Sequence, residues 1–260
     1  MTDRDPLARD AAGFRLRGSD VARLETFVDA AFAFSLTLPV IFTNDLPQTA
    51  AELREAMKRL PTFVACFAVL MMFWMAHNRW SRRFGLQDTR STLLSLAFVL
   101  VVMIYVYPLR MVTSSFLSMI TGGWLPNEPG FTREHALRDL QTAFIVYSAG
   151  FGLLAGILWR LNAHALRRAD ALGLGEDEQH RLRTEIGSQA ILALVSLAGL
   201  VLALLLYWFD PLLTGLWRLM AGLPMWCYAT LSVLMPWYHT RREKARLAAD
   251  GAWAGPAAGA

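Results

Sequence analysis

Apolar residues in this chain run in long unbroken blocks, separated by short polar connections. The blocks lie near residues 23–43, 61–78, 92–109, 140–159, 186–208 and 219–238. Most are close to the ~20 residues that carry a helix across the hydrocarbon core of a bilayer. A strand left open in lipid cannot satisfy its backbone, so each block is read as a helix. The pattern predicts an all-α integral membrane protein with six transmembrane helices per subunit, occupying residues 23–240. Residues 1–22 are expected to form a cytoplasmic N-terminal segment, and 241–260 a cytoplasmic tail that is partly disordered. The polar opening stretch is too long for the charged region of a cleaved signal peptide, so the first helix is expected to be retained.

Between the first two blocks, Thr49 and Glu52 have the spacing of a capping box, which predicts a short amphipathic helix on the outer surface. The connection after the third block is rich in Gly and Pro, with a helix start expected near Thr132 and Arg133. Inside, charged extensions of helices four and five are expected to break at Gly173 and Gly175.

Composition supports the membrane reading. Of 260 residues, 55% are hydrophobic and only 18% charged, below the roughly one quarter charged in soluble domains. The net charge of +4 is explained by where the basic residues fall. Lys and Arg number five in 1–23, four in 79–90, five in 160–185 and four in 239–250, against six in the intervening connections. Such asymmetry marks the cytoplasmic side. It predicts a multi-pass protein of the cell (inner) membrane with both termini inside and the lipid bilayer as its solvent. It gives no reason to expect a nucleic-acid partner. Cys66 and Cys227 lie within predicted spans, and His135, His164, His180 and His239 have no ligand spacing, so no metal or other cofactor is expected. No nucleophile elbow, phosphate-binding loop or credible carboxylate pair is present, and no enzyme is expected.

The first block breaks the pattern. "RLETFVDAAFAFSLTLPVIF" carries Arg23, Glu25 and Asp29 at its start. Charge below the headgroups is costly. Glu25 and Asp29 are four apart and share a helix face, where like charges repel. Compensation is therefore expected from another helix, and "FWMAHNRWSRR" at the end of the second block offers His77, Asn78 and Arg79. These groups can be a packing staple or the inner mouth of an ion path. Further along, Ala30, Phe34, Thr37 and Ile41 form one helical stripe.

Arg23, Phe27 and Asp29 resemble the R-x-x-x-F-S-D signature opening the first helix of the transmembrane protein 175 family of potassium channels. Trp74 and His77 resemble that family's W-x-x-H-H pattern, and Pro108 stands where the family often has proline at the end of the third span. The resemblance implies a homotetramer whose central pore is lined by helix one, without a carbonyl filter. It implies a constriction of bulky apolar residues at Phe34 and Ile41, with Thr37 contributing to ion selectivity. Ala30, Ser35 and Leu38 are then expected to line the path, and Arg23, Phe27, Asp29, Trp74, His77 and Asn78 to form the signature polar network. Potassium is the implied permeant ion among monovalent cations. The chain departs from the pattern at Val28 in place of serine, Asn78 in place of the second histidine, and Pro39, which should kink helix one beyond Thr37. The function implied is a potassium-preferring leak channel. A proton-coupled small-solute carrier using Asp29 and His77, and a non-conducting protein retaining the fold, are the alternatives.

Overall fold

The computed structural model describes residues 8–18, 23–41, 47–127, 136–209 and 222–252. Among these, regular structure is helical apart from one isolated bridge between Arg9 and Arg15. In chain order the helices are α1 (Arg23–Ile41), α2 (Ala50–Met57), α3 (Leu60–Phe84), α4 (Thr89–Ile120), α5 (Ala136–Arg167), α6 (Ala169–Leu172), α7 (Glu176–Phe209), α8 (Leu223–Ala229) and α9 (Leu231–Ala252).

Local chemistry sets these boundaries. The Thr49 hydroxyl accepts from the Glu52 amide at 3.2 Å, and the Glu52 carboxylate accepts from the Gln48 amide at 2.7 Å. This is the predicted capping arrangement, shifted by one residue at its second bond. Helix α3 stops at Gly85, whose φ of 57° closes a left-handed cap. Asp88 caps α4 through the Ser91 amide. Gly173, with φ 59°, ends the short α6, so the expected break between helices four and five occurs there.

Among the described residues, four segments are long and apolar enough to cross a membrane: Ala50–Phe84, Thr89–Ile120, Arg138–Arg167 and Glu176–Phe209. Helix α1 has only 19 residues, three of them charged. The sixth predicted block is divided at Thr230 between α8 and α9. One expectation is corrected: Pro108 does not close the third span. Helix α4 continues through it to Ile120, at the cost of one backbone hydrogen bond to the Ile104 carbonyl. The expected tail is helical as far as Ala252. The expected helix start at Thr132 and Arg133, with His135, lies outside the described residues.

Helix α4 packs against α1, α3 and α5, and α5 lies along α7. Apolar burial contributes little between helices already in lipid, so close packing and polar contacts must hold them together. The core is aromatic. Phe73 of α3 meets Phe98 and Tyr105 of α4 and Phe151 of α5, with ring centroids 5.2–6.4 Å apart. A Cβ at Gly150 would lie 2.6 Å from the Tyr105 ring, so the missing side chain lets α4 and α5 approach. The Tyr228 hydroxyl donates to Ser148 Oγ at 3.0 Å and lies 3.2 Å from Ser196 Oγ, tying α5, α7 and α8 together.

Residues 8–18 run as a strap across one end of the bundle. Phe14 is fully buried against Phe84, and the Arg83 guanidinium lies 4.2 Å over the Phe14 ring. Arg83 also pairs with Asp10 at 2.6 Å and with Glu185 of α7. Arg17 pairs with Glu178 at 2.8 Å and donates to the Leu172 carbonyl. The Gly18 amide donates to the Arg82 carbonyl at 3.0 Å. Burial pushes the Asp10 carboxyl up, but hydrogen bonds from Arg83 and from the Phe14 and Ala12 amides outweigh it and hold it below its usual range.

Candidate functional site

Helix α1 has two unlike sides. Glu25, Val28, Phe32 and Ser35 are buried against α3 and α4, with Phe32 and Phe98 rings 5.6 Å apart. Arg23, Thr26, Phe27, Ala30, Ala33, Phe34 and Thr37 are exposed. At about 100° per residue, these seven positions fall within an arc of about 120°. Phe27 and Phe34 are each 53% exposed, so two large rings stand on this open side.

The sides sort the predicted path residues. Ala30, Phe34 and Thr37 share the exposed arc, as the stripe required. Ser35 does not join them, and the expectation that it lines the path is corrected. It is fully buried, and its hydroxyl bonds to the Ala31 carbonyl at 2.8 Å. One residue beyond Phe34, it has rotated about 100° into the subunit. Leu38 is half-buried, packs at the edge of the core and lies at the margin of the arc. The Thr37 hydroxyl donates to the Phe34 carbonyl at 2.6 Å, which leaves its oxygen lone pairs on the exposed face. Helix α1 runs through Pro39 to Ile41, whose side chain lies outside those described. Pro39 supplies no amide hydrogen, so the Ser35 carbonyl lacks its usual helical donor.

The charges that open α1 are held by a ladder from α3. The Trp74 indole N–H donates to Asp29 Oδ1 at 2.8 Å. One turn away, Asn78 Nδ2 donates to Glu25 Oε1 at 3.4 Å, and Arg82 Nε lies 3.8 Å from the same oxygen. Trp74, Asn78 and Arg82 are spaced by four on α3, matching Glu25 and Asp29 spaced by four on antiparallel α1. Each carboxylate that repels its neighbour along α1 therefore gains a donor across the interface.

His77 is elsewhere. Its Nε2 lies 2.9 Å from the Ser95 hydroxyl of α4, and its ring stacks on Phe98 at 5.3 Å. It braces α3 against α4. The compensation expected for Asp29 from His77, Asn78 or Arg79 is supplied by Trp74; Asn78 serves Glu25 instead, and Arg79 is exposed. Arg23 and Phe27 lie on the exposed arc rather than in the ladder. A partly open pocket of about 130 Å³ sits beside the ladder, lined among others by Glu25, His77, Trp80 and Ser95. Among the described residues no cluster of His, Cys, Asp and Glu could hold a metal. Sequence reasoning missed Trp74 as the donor, Arg82, and the strap. The four-residue spacing on α3 was the signal available for the first two.

Residues 23–108, comprising α1 to most of α4, match the family described as endosomal/lysosomal potassium channel TMEM175. A protein of Marivirga tractuosa described as a potassium channel is 29% identical over 202 residues, covering 75% of this chain and 79% of that protein. The fold is similar to that of the potassium channel MtTMEM175, in a single-residue variant crystallised with a nanobody–MBP fusion protein. That likeness has a TM-score of 0.71 at 23% identity, covering 90% of this chain and all of the other. The match begins at Arg23, so it takes in both the ladder and the exposed arc: over this part the chain is similar to the TMEM175 family of potassium channels.

Proposed function

We propose that the protein is a potassium-preferring cation leak channel of the cell membrane. Four copies bring the exposed arcs of α1 around a common axis, with Phe34 and, one to two turns on, Ile41 narrowing the path. The observation that carries this reading is the exposed arc itself. A helix whose other side is fully buried leaves Phe27, Ala30, Phe34 and Thr37 uncovered by its own subunit. Charged residues flank one end of the arc, and the apolar remainder suits a dry constriction that gates by dewetting. The Thr37 hydroxyl is the polar group on the arc nearest Phe34, and it is assigned the contribution to ion preference.

In this arrangement α1, the α2–α3 segment, α4, α5, α7 and the α8–α9 pair make six crossings, with both termini cytoplasmic. The ladder keeps α1 seated so that its arc faces the axis. The Trp74–Asp29 bond favours a packing and seating role for Asp29 over a transported proton.

The test is a cysteine at the constriction. In a Cys66→Ser, Cys227→Ser background, Phe34→Cys should make cation flux through liposomes sensitive to a thiol-reactive ammonium reagent. Thr26→Cys, nearer the charged end, should react without abolishing flux. Unchanged flux after complete labelling of Phe34→Cys removes that position from the path.

A further inference from the structure

The register of α9 against α7 locates the membrane surface. Ser188 Oγ lies 3.3 Å from His239 Nε2, a Cβ at Gly187 would collide with the Tyr238 hydroxyl, and Arg246 pairs with Asp177 at 2.8 Å. The two helices thus run antiparallel, with Tyr238 level with Gly187. At that level α7 changes character. Glu176 to Glu185 is rich in charge, whereas Ala190 to Phe209 contains none. The α7 run Glu176–Phe209 is apolar enough to cross a membrane, so the boundary between hydrocarbon and headgroups passes beside Trp237 and Tyr238.

One face of α9 follows this boundary. Val233, Trp237, Arg241 and Lys244 are spaced by four, four and three, all exposed, with Val233 at 71% and Trp237 at 56%. The face turns from apolar to basic at the depth where the bilayer turns from chains to phosphates. The Arg241 guanidinium lies 5.2 Å over the Trp237 ring. A guanidinium held against an aromatic ring can still offer its N–H donors to a phosphate. The nearby acids do not cancel this charge. Glu243 is about 160° around the helix from Arg241, and Asp177 is engaged by Arg246. Arg242 is turned toward Tyr238, over whose ring it lies at 5.4 Å.

We propose that Trp237, Arg241 and Lys244 form a headgroup site for an anionic phospholipid. Trp237 and Val233 meet the acyl chains, and the two cations meet the phosphate and the anionic headgroup. The site rests on α7 lying in the membrane and not on conduction. Juxtamembrane basic residues attract anionic lipid in proportion to their number, and two of them should give a preference on the order of tenfold over zwitterionic lipid.

The full-length protein in detergent is titrated with phosphatidylglycerol, phosphatidylcholine or inorganic phosphate while its melting temperature is followed. Phosphatidylglycerol should raise the midpoint at about tenfold lower concentration than phosphatidylcholine, and phosphate should not raise it. In Arg241→Gln/Lys244→Gln that preference should disappear, while the phosphatidylcholine curve stays as in the wild type. Equal curves for the two lipids, a double variant that keeps the preference, or phosphate acting as well as lipid would each overturn the site.

Lipids brominated on the acyl chains provide an arm that uses the native surface. The emission lost in Trp237→Phe should be quenched more strongly by brominated phosphatidylglycerol than by its phosphatidylcholine counterpart. Equal quenching by both overturns headgroup selection. No quenching by either, in liposomes that still conduct, overturns the placement of α9 and leaves the channel reading intact.

Discussion

The Trp74 indole N–H and the Asp29 carboxylate, 2.8 Å apart, join α3 to the start of α1. The bond takes an acidic group that would be costly among apolar helices and makes it a directional link. Trp74→Phe keeps most of the ring's packing and removes the donor. It should lower stability by about 1–2 kcal/mol, read as a fall in the midpoint of thermal unfolding. Asp29→Asn retains an acceptor and should lose less than Asp29→Ala. Equal loss from both would remove the hydrogen bond from the account.

The two sides of α1 predict opposite phenotypes for two phenylalanines two residues apart. Phe32 is 1% exposed and packs on Phe98. Phe32→Ala should cost about 3 kcal/mol or more and depress folded yield. Phe34→Ala should leave the unfolding midpoint close to wild type and increase cation flux. Expression, melting and flux of the pair, measured side by side, check the assignment of the arc.

The strap passes too close to α3 for a side chain at Gly18, where a Cβ would lie 2.9 Å from the Ser81 carbonyl oxygen. Gly18→Ala should therefore lift the strap at a cost of roughly 1–3 kcal/mol. Limited proteolysis should then cut near Arg15 and Arg17 at least several times faster than in the wild type, because Phe14 and the Arg17–Glu178 pair lose their seats. An unchanged cleavage rate would contradict the strap's close docking.

Asp88 gives a pH dependence with a defined sign. Burial pushes its carboxyl up, but hydrogen bonds from Ser91 and His164 and the attraction of His164 dominate and bring it down from 3.8 to about 2. A folded-state value below the unfolded one means that the contribution is fully present above about pH 4. It is lost as the pH falls toward 2. Melting curves of wild type and Asp88→Asn should therefore converge on acidification through that window, with the variant less stable at neutral pH. Parallel curves throughout would place the cap's contribution elsewhere.

The all-helical membrane class was legible because long apolar runs have few other physical solutions; of the six predicted spans, four are helices long and apolar enough to cross a membrane among the described residues. The stripe of Ala30, Phe34 and Thr37 was legible because helical period alone decides which side chains share a face. Ser35 was misplaced because it follows Phe34 directly in sequence, while on the helix its side chain sits about 100° away. Pro108 was read as an end from the family resemblance, and proline does cost a helix one hydrogen bond. In α4, packing on three neighbouring helices outweighs that loss. The strap was not legible at all: Asp10, Phe14 and Arg17 have no periodicity, and their partners Arg83 and Glu178 are 66 or more residues away in sequence.

On the proposed reading, the exposed arc of α1 lines a potassium-preferring path. The most direct measurement is electrogenic flux into liposomes holding the purified full-length protein, with potassium and sodium gradients compared in parallel. Potassium flux should exceed sodium flux, rise with concentration without saturating, and increase in Phe34→Ala, while Thr37→Ala should narrow the difference between the ions. Flux that is absent in every gradient from intact oligomers, or indifferent to both substitutions, would contradict the account.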